Sequence, residues 1–235
     1  MKKLLLISNS TNPGESYLNY PQKEIETFLK GCSNIIFVPY AAVGFSYDTY
    51  VNKVNDSLKA INIQVKGIHS FDNKQKALSE ADAIMVGGGN TFHLVAELYN
   101  NNIMDAIRKA VSSGTPYVGW SAGSNISCPS LKTTNDMPIV EPRSFDTLNL
   151  IPFQINPHYL DANPDGHAGE TREQRINEFL ATNKDTSVVG LREGTMLLIN
   201  GNTIHLIGSK PCRIFKFEKD PIELNNTDDF SFLLR

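Results

Sequence analysis

Apolar runs of strand length alternate along this chain with segments whose hydrophobic residues recur every three or four positions. That alternation implies a mostly parallel β-sheet with helices on its faces. "KKLLLISN" opens the sheet. "PQKEIETFLKGC" reads as a helix with Pro21 at its start and Gly31 near its end, and "NIIFVPYAA" returns as a strand. "YDTYVNKVNDSLKAI" has helical spacing, "IQVKGIHS" is strand-like, "NKQKALSEAD" is a short helix and "AIMVGGG" a fourth, buried strand. "TFHLVAELYNNNIMDAIRKAVSSG" supplies one or two helices and "TPYVGW" a fifth strand, so a doubly wound order extends through residue 125.

After Ser127 the rhythm breaks. "CPSLKTTNDMPIVEPRSFDTLNLIPFQINPHY" holds five prolines and no helical period, and so long an irregular stretch in a compact domain points to function, such as a lid over a site. "GETREQRINEFLATN" then reads as a helix and "SVVGLRE" as a strand. "TMLLINGNTIHLIG" reads as a hairpin whose Asn200-Gly201 suits a type I′ turn, and "CRIFKFE" as a further strand. No repeat, linker or low-complexity tract divides the chain, so residues 1–235 are expected to form one α/β domain.

Composition changes this picture little. Hydrophobic residues make up 40% and charged residues 20% of the sequence, as in ordinary globular domains. No run approaches the roughly 18 apolar residues a membrane span needs, and the N-terminus turns polar too soon for a signal peptide; a cytoplasmic protein with no membrane partner is expected. The net charge of -3 is spread without a basic stripe, which argues against nucleic acid. Cys32, Cys128 and Cys212 are far apart and odd in number, fitting buried thiols better than disulfides or a zinc site. No metal or cofactor is expected, and monomer and homodimer both stay open.

The chemistry concentrates in "YVGWSAGSNI". In parallel sheets ligands collect at the carboxyl ends of strands, and Ser121 lies at such an end. A nucleophile elbow needs small neighbours around its strained turn, which Gly119 and Gly123 provide, and the Ala122 amide would then face a developing oxyanion. The alternative is a plain helix cap, for which serine is favoured anyway. In "VGGGNTFHL", Gly87 to Gly89 end a strand before a helix; Gly88 and Gly89 suit a second oxyanion donor, and the alternative is turn chemistry with Asn90 or Thr91 as the cap. Neither G-K-[ST] nor G-x-G-x-x-G spacing is present to favour a nucleotide.

A serine nucleophile needs a base. Of the five histidines, His69 and His205 sit in strand-like segments, His93 follows the glycine loop on a helix, and His158 and His167 lie in the irregular stretch. His158 is preferred, because "IPFQIN" delivers it to a proline-ordered loop. The acid that orients it is Asp136, in "TTNDMPI", or Glu193, in "GLREGTM"; spacing does not choose between them.

Together "VGGGNTFHL", "GWSAGSN", "TTNDMPIVEP", "INPHYLD", "GETREQRI" and "LREGTML" resemble peptidase E, the α-aspartyl dipeptidase family of serine peptidases. The resemblance implies a three-layer flavodoxin-like or class I glutamine-amidotransferase-like fold. It also implies metal-free hydrolysis of dipeptides with N-terminal aspartate, through an acyl-enzyme on Ser121 with His158 as general base. Asp136 matches the position usually assigned as the charge-relay acid, and Glu193 a second acidic position also proposed. Arg172 resembles the family's carboxylate-binding arginine, a role that suits a planar guanidinium; Asn90 and Glu170 are further candidates for substrate contacts.

Rival readings are a cyanophycinase-like or isoaspartyl serine peptidase, an α/β-hydrolase esterase, and a non-catalytic small-molecule binding domain on the same scaffold. A glutamine amidotransferase is disfavoured because serine stands at the elbow, and Cys128 is too far along to occupy the turn.

Overall fold

Buried apolar runs at Lys3–Ile7 (β1), Ile35–Val38 (β2), Val65–Gly67 (β3), Ala83–Val86 (β4) and Tyr117–Trp120 (β5) pair in parallel in the computed structural model, which describes residues 1–163 and 168–234. The order β3-β2-β4-β5-β1 continues into an antiparallel hairpin, Met196–Asn200 (β8) and Thr203–Ile207 (β9), added beside β1 to make seven strands.

Both faces of this sheet are covered, which explains why its strands are apolar throughout rather than alternating. Leu5, Ile7, Ile35, Phe37 and Trp120 pack with the helices Gln22–Phe28 (α1) and Tyr47–Leu58 (α2). Leu4, Leu6, Ile36, Val38 and Tyr117 pack on the other side with Lys74–Ser79 (α3), Thr91–Asn100 (α4) and Met104–Ser112 (α5). The long helical stretch is thus two helices. "IQVKGIHS" gives a strand of three residues followed by a 3₁₀ turn that carries His69.

A second sheet was not foreseen. Gln154–Tyr159 (β6) pairs in parallel with Val188–Arg192 (β7), which is followed outward by Cys212–Phe215 (β10) and Ile222–Leu224 (β11). Ile155, Val189, Leu191 and Ile214 pack into the α3–α5 side of the core. The other face, through Tyr159, Val188 and Phe215, meets Ile176 and Leu180 of Arg172–Thr182 (α7). Thr171 starts α7 with a reciprocal capping box to Gln174.

Two expectations change. The hairpin loop is Gly201-Asn202, because Asn200 pairs with Thr203; Gly201 alone has positive φ, +59°, the signature of a type II′ rather than a I′ turn. The strand after the irregular segment runs through His158 to Tyr159, so that histidine belongs to a strand end, not a loop. Within the irregular segment Leu131, Leu148, Leu150, Ile151 and Phe153 are core residues. Arg108 also donates to the carbonyls of Thr147 and Leu148 at 2.9 and 3.0 Å. Met137, Ile139 and Phe145 are the segment's exposed large hydrophobic residues.

Candidate active site

The carboxyl ends of three neighbouring strands, β4, β5 and β1, deliver Gly88, Ser121 and Ser8 to one rim. Ser121 stands between β5 and the short helix Ala122–Asn125 (α6) with φ +54° and ψ -114°. A side chain in that region is strained and persists only where the surroundings over-determine it. Here they do: its amide donates to the Ile7 carbonyl at 3.0 Å, and its carbonyl accepts from the amides of Ser124 and Asn125, both at 2.9 Å. The flanking glycines are required by close approach, since a Cβ on Gly119 would lie 2.5 Å from the Gly123 carbonyl oxygen and one on Gly123 would lie 2.2 Å from that of Val86. Ser121 makes no side-chain capping bond to α6.

Its Oγ instead lies 3.0 Å from His158 Nε2, and His158 Nδ1 lies 2.6 Å from Glu193 Oε1. A carboxylate can only accept, so Nδ1 carries the imidazole proton and Nε2 is left to accept from the serine hydroxyl. His158 reaches this position through a local irregularity: the β6–β7 register shifts between Pro157 and Tyr159, and His158 has φ +54°. Glu193 follows β7 directly, so parallel pairing of β6 with β7 sets acid beside base.

Several residues that sequence reasoning missed hold the pair. Ser8, fully buried, accepts from the His158 amide at 3.0 Å and donates to the Leu191 carbonyl at 2.7 Å. Asn9 accepts from the Gly194 amide at 2.8 Å, and Lys210 donates to the Glu193 carbonyl at 3.1 Å. Arg192 pairs with both Asp161 and Glu223, tying the chain after β6 to β7 and β11. Ser8, Asn9 and Lys210 belong to no motif, and Arg192 and Asp161 lie in motifs without being singled out. Each is a polar residue whose importance comes from what packs beside it.

The cleft over Ser121 has a volume of about 360 Å³ and is lined by Ala122, Thr91, Asp136, His158, Arg172 and Glu193, among others. Asp136 is not paired with His158. Its Oδ2 accepts from the Thr91 amide and hydroxyl at 2.7 and 2.6 Å and from Thr134 Oγ1 at 3.1 Å, where a carboxylate is favoured by the start of α4.

Arg172, the first residue of α7, has no hydrogen bond or ion pair among the described residues and opens into the cleft. Burial, then Arg175, lower its pKa below the usual arginine value, against an opposing attraction from Asp136. An arginine stays charged nonetheless.

The remaining candidates are spread out. Asn90 caps α4, accepting from the His93 amide at 3.0 Å, and donates to the Met137 carbonyl at 2.9 Å, so its side chain is already engaged in turn chemistry. Glu170 pairs with Arg175 at 3.7 Å. Gly88 abuts the nucleophile: a Cβ there would lie 2.9 Å from Ser121 Cβ. Gly89, at φ +137°, turns against the Ala41 carbonyl. His69 meets Asp48 at 2.8 Å, His93 meets Tyr47 at 3.3 Å, and His205 lies exposed on β9; His167 lies outside the described residues. Cys128 is buried, its thiol pushed up to about 12 by desolvation.

Comparison with known proteins bears on this geometry. Residues 4–207 match the model of peptidase family S51. A Peptidase E of Nostoc sp. (strain PCC 7120) is 51% identical over 99% of this chain and 97% of its own. A Peptidase E of Streptomyces coelicolor is 48% identical over 98% and 94% respectively. The crystal structure of a peptidase from an acI-B1 Actinobacterium superposes with a TM-score of 0.71 at 17% identity, covering 98% of this chain and 97% of that one. The flavodoxin-like or amidotransferase-like architecture is therefore shared.

Proposed function

Since this chain belongs to peptidase family S51, we propose that Ser121, His158 and Glu193 are its catalytic groups and that it hydrolyses dipeptides with an N-terminal aspartate. The observation that carries this reading is the unbroken contact chain from Ser121 Oγ through the imidazole to Glu193. It opens into a cleft that also holds an unpaired guanidinium.

Ser121 Oγ attacks the aspartyl carbonyl carbon while its proton passes to His158 Nε2. The negative oxygen of the tetrahedral adduct is met by the amides of Ala122 and of the Gly88–Gly89 turn; one such donor is worth about 3 kcal/mol. His158 returns the proton to the leaving nitrogen, the C–N bond breaks, and an ester on Ser121 remains. A water molecule then gives a proton to His158 and attacks the ester carbon; His158 returns that proton to Ser121 Oγ as the bond between Oγ and the acyl carbon breaks, releasing aspartate and the free serine. Glu193 holds the ring in the tautomer these steps need and stabilises the imidazolium.

Recognition follows from charge. Arg172 binds the substrate's β-carboxylate, and the cleft's Asp136 carboxylate, with Oδ2 committed to Thr91, offers Oδ1 to the free α-ammonium. Because Glu193 occupies the place beside His158, Asp136 is assigned to substrate rather than to the relay. The test is hydrolysis of Asp-Leu, Glu-Leu, Asn-Leu and β-Asp-Leu by wild type and Ser121→Ala with a chelator present. Cleavage of Asp-Leu alone, lost in Ser121→Ala, is the expected result. Cleavage of β-Asp-Leu alone would move the protein to the isoaspartyl class, and unchanged activity in Ser121→Ala would remove the serine from the chemistry.

A further inference from the structure

A second hydrogen-bonded chain lies behind the glycine turn, outside the catalytic contacts. Trp120 Nε1 is 3.0 Å from Tyr17 OH and 3.2 Å from Tyr50 OH; Tyr17 OH is 3.0 Å from Tyr50 OH; and Tyr50 OH is 2.9 Å from the Gly88 carbonyl oxygen. Elementary chemistry fixes its direction. An indole N–H can only donate and a carbonyl can only accept, so Tyr50 spends its one hydrogen on Gly88 and its oxygen accepts from Tyr17 and Trp120.

The hydroxyls stay protonated: burial raises Tyr17 well above the tyrosine range and pushes Tyr50 up to about 12. The Tyr50 ring is placed independently of its hydroxyl, edge-on to Phe37 at 5.0 Å and to Phe45 at 5.4 Å. Gly87 admits that hydroxyl, since a Cβ on residue 87 would lie 2.5 Å from it.

The Gly88 carbonyl belongs to the same peptide as the Gly89 N–H. In a trans peptide the two dipoles are antiparallel, and no cis peptide occurs among the described residues. Tying the Gly88 oxygen inward therefore aims the Gly89 N–H outward, and Gly89 is exposed. A peptide whose carbonyl accepts a strong hydrogen bond is also a stronger donor through its N–H.

We propose that Tyr50, backed by Tyr17 and Trp120, is a positioning residue that orients and polarises the Gly88–Gly89 peptide so that the Gly89 amide stabilises the reaction's oxyanion. The inference rests on the acyl-transfer reading above for its catalytic consequence, though not for its structural one. Since Trp120 immediately precedes Ser121, the strand that presents the nucleophile also anchors the oxyanion donor.

The test compares wild type, Tyr50→Phe and Tyr17→Phe in the full chain, by kinetics on Asp-Leu and by the amide proton shift of Gly89 in NMR spectra. Tyr50→Phe is expected to lower kcat about tenfold or more with KM within about twofold, and to move the Gly89 amide upfield. Tyr17→Phe should do both to a smaller extent, because Trp120 still donates to Tyr50. Unchanged kcat and an unmoved Gly89 amide in folded Tyr50→Phe overturn the proposal, as does a change confined to KM. If wild type leaves Asp-Leu intact, the dipeptidase reading fails by itself. The Gly89 shift then decides the positioning claim: an upfield move supports it and an unmoved resonance overturns it. Should Tyr50→Phe not fold, the same two outcomes are read from Tyr17→Phe.

Discussion

Ser8 and His158 are joined across 150 sequence positions by a hydrogen bond of 3.0 Å from the His158 amide to the Ser8 hydroxyl. The same hydroxyl donates to Leu191, so β1 of the large sheet grips both strands of the second sheet that present His158 and Glu193. Ser8→Ala is expected to reduce kcat on Asp-Leu about tenfold and stability by about 1–3 kcal/mol, read by steady-state kinetics and urea unfolding. Unaltered kinetics would mean that β6–β7 pairing alone holds the imidazole.

The two acids should separate kinetically. Glu193→Gln leaves His158 without its charge partner, and kcat is expected to fall on the order of a thousandfold or more. Asp136→Asn, which touches Thr91 and Thr134 rather than the imidazole, should chiefly raise KM. Its penalty should shrink for succinyl-leucine, which lacks the α-ammonium. The opposite pattern would restore Asp136 to the relay.

Arg172→Lys keeps the charge but loses the fork that grips a carboxylate with two parallel bonds. Turnover of Asp-Leu should drop about tenfold or more, while labelling of Ser121 by a phosphonylating reagent stays near wild type. Equal kinetics would take Arg172 out of recognition.

Neighbouring glycines should fail differently. A methyl on Gly89 would lie 2.2 Å from the Ala41 carbonyl oxygen at a φ of +137°, so Gly89→Ala is expected to lower the thermal midpoint. One on Gly88 meets Ser121 Cβ at 2.9 Å, so Gly88→Ala should mainly cost activity. Circular dichroism melts beside Asp-Leu assays distinguish the two.

Stability should decline on the alkaline side. Burial holds Tyr17, Tyr50 and Tyr117 protonated in the folded state above the ordinary value of 10.0. Above that pH the unfolded chain binds fewer protons than the folded one, so unfolding becomes easier as pH rises; below it the contribution is complete. The buried Cys128 and Cys212 thiols, raised above their ordinary 9.0, act in the same direction from a lower pH, so urea midpoints should begin to fall at about pH 9 and fall faster beyond about pH 10. A flat profile through pH 11 would show that these phenols ionise in place.

Much of this protein could be read from its one-dimensional pattern, because strands buried on both faces must be continuously apolar and helices on a sheet must repeat every three or four residues. That logic located β1 to β5, α1 to α5 and α7, and the glycine spacing around Ser121 marked a strained turn. Local rules succeed where the constraint is local, as in the close approach of Gly119 to the Gly123 carbonyl four residues on.

Residue order could not assign His158 a partner or reveal the second sheet, because both depend on which distant strands lie side by side. Glu193 meets His158 through β6–β7 pairing, while Asp136, nearer in sequence, is drawn to the start of α4. Ser8, Tyr17 and Tyr50 bear no motif, since a lone hydroxyl acquires a role only from the donor or acceptor that folding places about 3 Å away.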